Sequence, residues 1–356
     1  MSYSALRPLL FSLPEEVAHD FSLNSLRFLE RAGLGRLAAS PVQDAPVEVM
    51  GLRFPNPVGL AAGLDKDARY VNALAALGFG FIEVGTVTPV AQPGNPKPRM
   101  FRLPKHEALI NRMGFNNDGV TSLVQRVQTT RYSGVLGINI GKNKTTPEER
   151  ALDDYVTCLR AVYPHASYIA VNISSPNTPG LRNLQAEDQL KALLEGLTRE
   201  HGKLRDEYGQ HRPLAVKIAP DMSEETAAAT ARILLDFAVD GVIVTNTTIA
   251  RDAVAEDKNG GEAGGLSGQP LRDAADRVLA VVSDTVGQRM AKIGVGGIMS
   301  GEDAQRKIRL GADLVQIYTG FIYRGPKLIA DAVKSIDGLA RNRGEAVQNP
   351  ASSSTD

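Results

Sequence analysis

The stretch Tyr168-Ile-Ala-Val-Asn-Ile-Ser-Ser-Pro-Asn-Thr178 begins as an apolar run and ends in polar residues around a proline. A short apolar run without alternation predicts a strand that is covered on both faces, as in a parallel sheet. Similar runs recur along the chain, with longer amphipathic segments between them. The candidate strands are residues 57–63, 79–86, 135–141, 168–174, 214–219, 241–247, 292–296 and 314–318.

The segments between these runs carry apolar residues at three- and four-residue steps, which is typical of helices packed on a sheet. They include residues 68–77, 186–208, 224–237, 271–286 and 302–310. Ser223 and Ser300 each precede acidic residues, which marks a helix start. Strands and helices that alternate eight times predict an α/β fold, a (β/α)8 TIM barrel over residues 41–340. An open doubly wound sheet is the alternative, but no G-x-G-x-x-G motif follows the first strand.

Several segments lie outside this repeat. Residues 1–40 predict a short N-terminal extension of two helices broken at Pro14, and residues 47–54 predict a hairpin that turns near Gly51 and closes the bottom of the barrel. Residues 87–133 are too long for a simple connection and are expected to form a lid or substrate loop. The Gly-rich, charged residues 250–270 are expected to be a mobile loop, and the polar tail 344–356 is expected to be disordered.

The composition argues against several classes of protein. Lys+Arg and Asp+Glu both number 40 and Trp is absent, so the sequence gives no support for a nucleic-acid partner. The one cysteine, Cys158, cannot form an intramolecular disulfide, and it falls in a helical pattern as a small buried residue. The five histidines are scattered, so we expect no metal site. We also expect neither a signal peptide nor a membrane-spanning helix.

In a barrel, the chemistry lies at the carboxyl ends of the strands. At these ends the sequence places Ala62, Gly63, Lys66, Thr86, Asn139, Asn172, Ser174, Ser175, Asn177, Lys217, Thr245, Asn246 and Thr247. Asparagine amides both donate and accept hydrogen bonds and suit a heterocycle with an imide edge, whereas lysines suit a carboxylate or the electron-rich edge of a flavin. Glycines after the last two strands, in residues 293–298 and 316–320, predict a phosphate site.

Taken together, these motifs resemble the dihydroorotate dehydrogenases, most closely the membrane-associated, quinone-dependent class (class 2). The resemblance extends from residue 1 to about residue 340. The motifs that carry it are Ala61-Ala-Gly-Leu-Asp-Lys66, Ile110-Asn-Arg-Met-Gly-Phe-Asn116, Asn172-Ile-Ser-Ser-Pro-Asn-Thr178, Val244-Thr-Asn-Thr247 and Gly294-Val-Gly-Gly-Ile298.

The resemblance implies FMN as the cofactor and dihydroorotate, oxidised to orotate in pyrimidine biosynthesis, as the substrate. The implied FMN contacts are Ala62, Gly63, Lys66, Thr86, Asn139, Asn172, Lys217, Thr245, Gly268, Gly297, Tyr318 and Thr319. The implied substrate contacts are Lys66, Asn111, Arg112, Met113, Gly114, Phe115, Asn172, Asn177, Asn246 and Thr247. Lys66 is expected to pair with the substrate carboxylate region.

Ser175 is the implied catalytic base, at a position where the soluble class carries cysteine. Because a serine hydroxyl barely ionises near neutral pH, the proton must be passed onward, and we expect Thr178 to relay it through a water while Lys66 helps to hold the developing charge. The same residues fit a plain turn before proline. Their place at the end of the fourth strand favours a site.

The resemblance also implies that residues 1–40 form a quinone entrance, with His19, Arg102, Tyr318 and Ile322 along the path to the flavin. A small helical cap on the barrel is the alternative. Four arginines in this segment are balanced by four acidic residues, so we expect peripheral attachment to the cytoplasmic side of the cell membrane by apolar insertion.

Two other functions stay open at this point. One is another FMN barrel enzyme, such as a soluble dihydroorotate dehydrogenase with a different electron acceptor, a dihydropyrimidine dehydrogenase-like protein or a dihydrouridine synthase. The other is a non-enzymatic barrel that binds a phosphorylated metabolite. Ser175 and the N-terminal helices argue against the soluble enzyme, and the set of Lys66, Ser175, Lys217 and asparagines argues against a simple binding protein.

Overall fold

A computed structural model describes residues 3–348, and for residue 36 and residues 340–348 it describes the backbone alone. The strands are β1 (Val47–Val49), β2 (Leu52–Phe54), β3 (Val58–Leu60), β4 (Phe81–Val87), β5 (Met100–Leu103), β6 (Ala108–Asn111), β7 (Val135–Ile140), β8 (Tyr168–Asn172), β9 (Leu214–Ile218), β10 (Gly241–Val244), β11 (Gly265–Gly268), β12 (Ala291–Val295) and β13 (Leu314–Ile317). The helices are α1 (Tyr3–Ser12), α2 (Glu15–Arg31), α3 (Val71–Ala75), α4 (Val120–Gln128), α5 (Ala151–Val162), α6 (Glu187–Tyr208), α7 (Glu224–Asp236), α8 (Arg272–Val286), α9 (Gly301–Arg309), α10 (Thr319–Arg324) and α11 (Lys327–Gln348).

Eight parallel strands close into a barrel in the order β3, β4, β7, β8, β9, β10, β12 and β13, which is also their order along the chain. The predicted (β/α)8 fold is therefore confirmed, and each predicted strand overlaps one barrel strand, with β4 and β12 each extending one residue beyond the predicted range. Nearly every residue of these strands is buried, since helices cover the outside and side chains fill the inside. This burial on both faces is the reason for the continuous apolar runs.

The predicted helix starts and the predicted hairpin are confirmed. The hydroxyl oxygens of Ser223 and Ser300 accept hydrogen bonds from the third residue onward, Thr226 and Asp303, which caps α7 and α9. Strands β1 and β2 pair as an antiparallel hairpin.

The hairpin fills the amino end of the barrel. The Phe54 ring meets the Phe81 ring edge-on at 5.2 Å, and Phe81 in turn lies 6.3 Å from Tyr168. These rings form part of an apolar cluster inside the barrel together with inward residues of the other strands. The lower end is therefore closed, and ligands have access from the carboxyl ends of the strands.

Two segments predicted as loops contain strands. In residues 87–133, β5 and β6 form a hairpin, and β11 from residues 250–270 pairs with β6 to give a three-stranded antiparallel sheet. The register sets Gly265 opposite Asn111 and Gly268 opposite Ala108. The two insertions therefore form one sheet above the barrel.

The N-terminal helices lie against this upper part of the molecule. They break at Leu13-Pro14 as predicted, with α2 starting at Glu15. The Glu16 carboxylate pairs with both Arg99 Nε and Nη2 at 3.1 Å, and Phe11 packs on Tyr323 with ring centroids 5.2 Å apart. At the other terminus, α11 extends over residues 344–348, which were predicted as the start of the tail, and residues 349–356 lie outside the described part.

Candidate active site

A cavity opens at the carboxyl ends of the barrel strands, beneath the three-stranded sheet. Most of the residues predicted for catalysis, the cofactor and the substrate line it. From those sets it contains Ala62, Gly63, Lys66, Thr86, Asn111, Met113, Gly114, Phe115, Asn172, Ser175, Asn177, Lys217, Thr245, Asn246, Thr247, Gly268, Gly297, Tyr318 and Thr319. Parallel strands in register bring these residues to one height, as with Asn172 of β8 beside Lys217 of β9.

Three predicted site residues lie elsewhere. The Arg112 guanidinium donates to Glu262 and stacks on the Phe101 ring at 4.6 Å, so its side chain belongs to the overlying insertions. Asn139 is fully buried and bonded to Thr86, and Thr178 is also buried, and neither side chain lines the cavity. The sequence gives the position of these residues relative to the strands but not the direction of their side chains.

Hydrogen bonds hold the amides of the cavity in a connected set. Thr86 Oγ1 donates to Asn139 Oδ1 at 2.6 Å and accepts from Asn172 Nδ2 at 3.0 Å. Asn246 Nδ2 donates to Asn172 Oδ1 at 3.2 Å and to Ser174 Oγ at 3.1 Å. Such linked bonds fix which face of each amide is a donor and which is an acceptor.

Both lysines of the cavity lie in low-polarity surroundings. Burial lowers the pKa of Lys217, and the Glu83 carboxylate opposes this effect. Burial also lowers the pKa of Lys66, with a further lowering from the nearby Arg99 charge. An ammonium whose charge is poorly solvated by water gains more from an anionic ligand than an exposed one does.

Ser175 lies on the wall of the cavity and is 6% exposed. Its hydroxyl oxygen accepts a hydrogen bond from the Asn177 backbone N–H at 3.2 Å, which leaves the hydroxyl proton free to be donated. Thr178 Oγ1 is buried and has no hydrogen-bond partner in the described part of the chain. The neighbouring Ser174 is tied to the barrel, because its hydroxyl donates to the Lys217 carbonyl at 2.7 Å.

The opposite side of the cavity is built from glycines and hydroxyls. Gly268 has φ +98° and packs so closely on the Glu107 carbonyl that a Cβ has no room. The next side chain back, Ser267, accepts from Thr319 Oγ1 at 2.8 Å. Gly297 has φ +75° and lies against the Arg272 backbone. The glycines expose backbone around this end of the cavity, in the place where the sequence predicted a phosphate site.

A second cavity of about 490 Å³ lies between α1, α2 and the barrel. Apolar residues of the two helices, such as Leu10, Leu26 and Leu29, form much of its lining. The four residues predicted for the quinone path, His19, Arg102, Tyr318 and Ile322, all line it as well. Tyr318 belongs to the lining of both cavities.

Few of the residues that line the second cavity are polar, and Arg102, His19 and Tyr318 differ in their hydrogen bonding and protonation. Arg102 Nη1 donates to the carbonyls of Phe11 and Leu13 at 3.0 and 2.8 Å. Burial lowers the pKa of His19 to about 4, with a further lowering from Lys66, so the imidazole is neutral at pH 7. Burial raises the pKa of Tyr318 to about 12, so its hydroxyl stays protonated.

The outer faces of the N-terminal helices expose large apolar side chains. Phe28 is 71% exposed, Leu9 66% and Phe21 58%. Over the described residues, none of the helices combines the length and apolar character needed to cross a bilayer.

The cavity also contains residues that sequence reasoning missed. Gln316 lines it from β13, and its Oε1 atom is buried without a hydrogen-bond partner among the described residues. Ser267 lines it from β11. The glutamine inside the apolar run Leu314–Ile317 could have indicated a site residue in the sequence. A polar side chain buried in a strand costs free energy unless it has hydrogen-bond partners. Ser267 stood in a segment predicted as a loop.

Comparisons with known proteins agree with this architecture. The family model described as dihydroorotate dehydrogenase matches residues 45–339. The dihydroorotate dehydrogenase (quinone) of Alkalilimnicola ehrlichii is 58% identical over 335 residues, which cover 94% of this chain and 98% of that protein. The protein of the same name from Azotobacter vinelandii is 56% identical over 341 residues, with 96% and 98% covered.

Solved structures give the same answer. The crystal structure of DHODH from Eimeria tenella in complex with ferulenol superposes with a TM-score of 0.84 at 38% identity, covering 93% of this chain and 92% of that one. The ligand-free structure from the same organism gives a TM-score of 0.83 at 39% identity, covering 93% and 96%. Fold, cavity motifs and relatives named for quinone as acceptor agree, and the chain belongs to the dihydroorotate dehydrogenase family.

Proposed function

We propose that this protein oxidises dihydroorotate to orotate in the barrel cavity with FMN as cofactor, and passes the electrons to a membrane quinone in the second cavity. The observation that carries the proposal is the juxtaposition of Ser175, Lys66 and the linked amides in one cavity that shares Tyr318 with an apolar one. Membership of the family supports both half-reactions.

The residues present fit FMN. Gln316 Oε1 is a buried acceptor without a partner among the described residues, and burying it costs free energy unless a ligand donor reaches it. The lysine Lys217 and the backbone around Gly268 and Gly297 suit the electron-rich ring edge and the phosphate. The residues that would hold the cofactor are Ala62, Gly63, Lys66, Thr86, Asn172, Lys217, Thr245, Gly268, Gly297, Tyr318 and Thr319, with Asn139 acting through Thr86.

The substrate edge of the cavity suits a cyclic imide that bears a carboxylate. Asn177 Nδ2 donates to Asn111 Oδ1 at 3.2 Å, so the two amides form one surface with donors and acceptors to spare. Lys66 supplies the positive charge for the carboxylate region. Arg112 is not assigned to the substrate, since its guanidinium is bound to Glu262.

In the oxidation, the C5 proton of dihydroorotate leaves to Ser175 and a hydride equivalent leaves C6, which gives orotate. FMN, when bound, supplies the acceptor for that hydride equivalent. Ser175 must lose its own proton as it takes the substrate's, because a serine hydroxyl holds only one. The unpartnered Thr178 Oγ1 supports a relay from Ser175 through a water to Thr178, and Lys66 stabilises the developing charge.

For the second half-reaction we assign His19, Arg102, Tyr318 and Ile322 to the quinone path. The exposed apolar side chains on α1 and α2 support peripheral attachment to the cytoplasmic side of the cell membrane by insertion of these helices. High salt should leave the protein on the membrane, while detergent should release it. Release by salt alone would contradict apolar insertion.

One experiment tests the central proposal. The purified protein should show a flavin absorption spectrum, and dihydroorotate added without oxygen should bleach it. A short quinone should then restore the colour, whereas fumarate and NAD should not. A flavin that stays oxidised with dihydroorotate rejects the activity, and recovery with fumarate or NAD favours the soluble class of enzyme.

A further inference from the structure

Glu83 is a fully buried carboxylate in the middle of β4, below the cavity floor. Three side chains donate hydrogen bonds to it: Asn139 Nδ2 at 2.8 Å, Tyr168 OH at 2.7 Å and Gln316 Nε2 at 2.7 Å. A carboxylate taken out of water needs such donors or a counter-charge, and Lys217 supplies positive charge nearby. Glu83 therefore acts as an acceptor only.

An acceptor at this point fixes the direction of the hydrogen bonds above it. Asn139 must turn its NH₂ group toward Glu83, which leaves Asn139 Oδ1 to accept the Thr86 hydroxyl proton at 2.6 Å. Thr86 has no second proton to donate, so its oxygen accepts from Asn172 Nδ2 at 3.0 Å.

At the upper end of this series of hydrogen bonds, the side-chain carbonyl of Asn172 is left to accept. It takes hydrogen bonds from Asn246 Nδ2 and from the Ser174 backbone N–H, both at 3.2 Å. The Ser174 N–H cannot turn round, so it favours the same direction from the other end. Asn246 is held in the same way, because its Oδ1 accepts from the Thr247 backbone N–H at 2.8 Å. Three fixed groups, Glu83 below and the Ser174 and Thr247 N–H groups above, thus select one of two internally consistent directions for these hydrogen bonds.

Glu83 fixes a second amide by the same logic. Gln316, which lines the cavity, turns its NH₂ group to Glu83, so its carbonyl oxygen is the group that stays buried without a hydrogen-bond partner in the described part of the chain. With a donor in place of the carboxylate, Gln316 can rotate by half a turn and present NH₂ instead.

We infer that Glu83 is a positioning residue for the cavity: it touches neither ligand, but it sets which faces of Asn139 and Gln316 are donors and which are acceptors, and through Asn139 and Thr86 it supports the direction of the Asn172 amide. This inference rests on the proposed function for the identity of the ligands. The direction of the chain itself rests on the hydrogen bonds alone.

The test compares Glu83→Gln, which keeps the shape and removes the charge, with Tyr168→Phe, which removes one hydrogen bond to Glu83 and keeps the charge. Orotate binding is measured from the change it causes in the flavin spectrum, and the melting temperature of each variant is measured in parallel. We expect Glu83→Gln to weaken orotate binding by about tenfold or more, and Tyr168→Phe to change it by less than about twofold. Equal orotate affinity in Glu83→Gln and wild type would overturn the inference, even if both variants melt earlier.

A second readout needs no activity. In protein labelled with ¹⁵N-asparagine, the side-chain NH₂ resonance of Asn139, assigned by comparison with Asn139→Asp, should shift in Glu83→Gln and stay near its wild-type position in Tyr168→Phe. An unchanged Asn139 resonance in Glu83→Gln would also overturn the inference. Failure of the wild type to bind orotate would instead reject the proposed function, so the two failures are distinguishable.

Discussion

The two cavities that meet at Tyr318 are held together in opposite ways. In the barrel cavity, the polar side chains bind one another and rest on the buried Glu83, so their directions are set before any ligand arrives. In the cavity under α1 and α2, Arg102 is bound to helix carbonyls and His19 makes no side-chain hydrogen bond within residues 3–348. The barrel cavity is built to distinguish donors from acceptors, and the helical cavity to receive apolar surface.

The largest effect of a substitution is expected on the chemistry in the barrel cavity. We expect Ser175→Ala to slow flavin reduction by dihydroorotate by about 10²–10⁴-fold, since a positioned base contributes an effect of that size. Reoxidation of the reduced flavin by quinone should be unchanged, and FMN and orotate should still bind. Stopped-flow absorbance of the two half-reactions measures both rates. Normal reduction in Ser175→Ala would remove Ser175 from its role.

The burial of His19 in the cavity under α1 and α2 should be detectable in the dependence of the protein's stability on pH. His19 has a pKa of about 4 in the folded protein against an ordinary value of 6.5, mainly because it is buried. The unfolded chain thus binds a proton more readily, so stability is complete above pH 6.5 and falls as the pH drops toward 4. The loss should reach about 3 kcal/mol at most, at about 1.4 kcal/mol per pKa unit.

We expect His19→Gln to lack this part of the acid destabilisation. Urea unfolding of both proteins at pH 7, 5 and 4 gives the comparison, and wild type should lose stability relative to the variant as the pH falls. A constant difference between the two proteins over this range would contradict the assignment of His19 to an apolar site.

Removal of residues 1–40 should separate the function of the barrel cavity from that of the cavity under α1 and α2. Flavin reduction should survive, while reoxidation by a long-chain quinone should fall by about tenfold or more, because the apolar contact area of α1 and α2 is lost. A short, water-soluble quinone serves as the control and should be affected less. Equal turnover of the long-chain quinone by the truncated protein would count against the entrance.

The smallest effects should come from the caps of α7 and α9. Ser223→Ala and Ser300→Ala should each lower the free energy of unfolding by about 1 kcal/mol. Ser300 directly follows the loop that lines the barrel cavity at Met299, so Ser300→Ala should also speed FMN release, whereas Ser223→Ala should not. Flavin fluorescence after dilution measures release, and identical rates in the two variants would contradict this link.

The barrel could be predicted from the sequence because its strands are buried on both faces and leave continuous apolar runs. The three-stranded sheet could not, since Gly265-Leu-Ser-Gly268 has the composition of a loop and its partner β6 lies far back in the chain. Only tertiary pairing turns such a segment into a strand.

Within the site, residues at strand ends could be predicted but their connections could not. Glu83 is an acid inside a buried strand, and its partners Asn139, Tyr168 and Gln316 come from three other strands. A side chain on a connecting loop is harder still, as Arg112 shows by turning to Glu262. Strand register fixes height around the barrel, while loop side chains follow contacts that no local pattern encodes.

The position of Tyr318 between the two cavities has a consequence for the order in which the two reactants bind and leave. Because Tyr318 lines both cavities, the two proposed ligands would contact the same side chain from different cavities and would not occupy the same space. Neither has to depart before the other arrives, so saturating one cavity leaves the other free to fill. An analogue of the substrate and an analogue of the quinone should then occupy the same molecule together, and each should inhibit by competing with its own reactant alone.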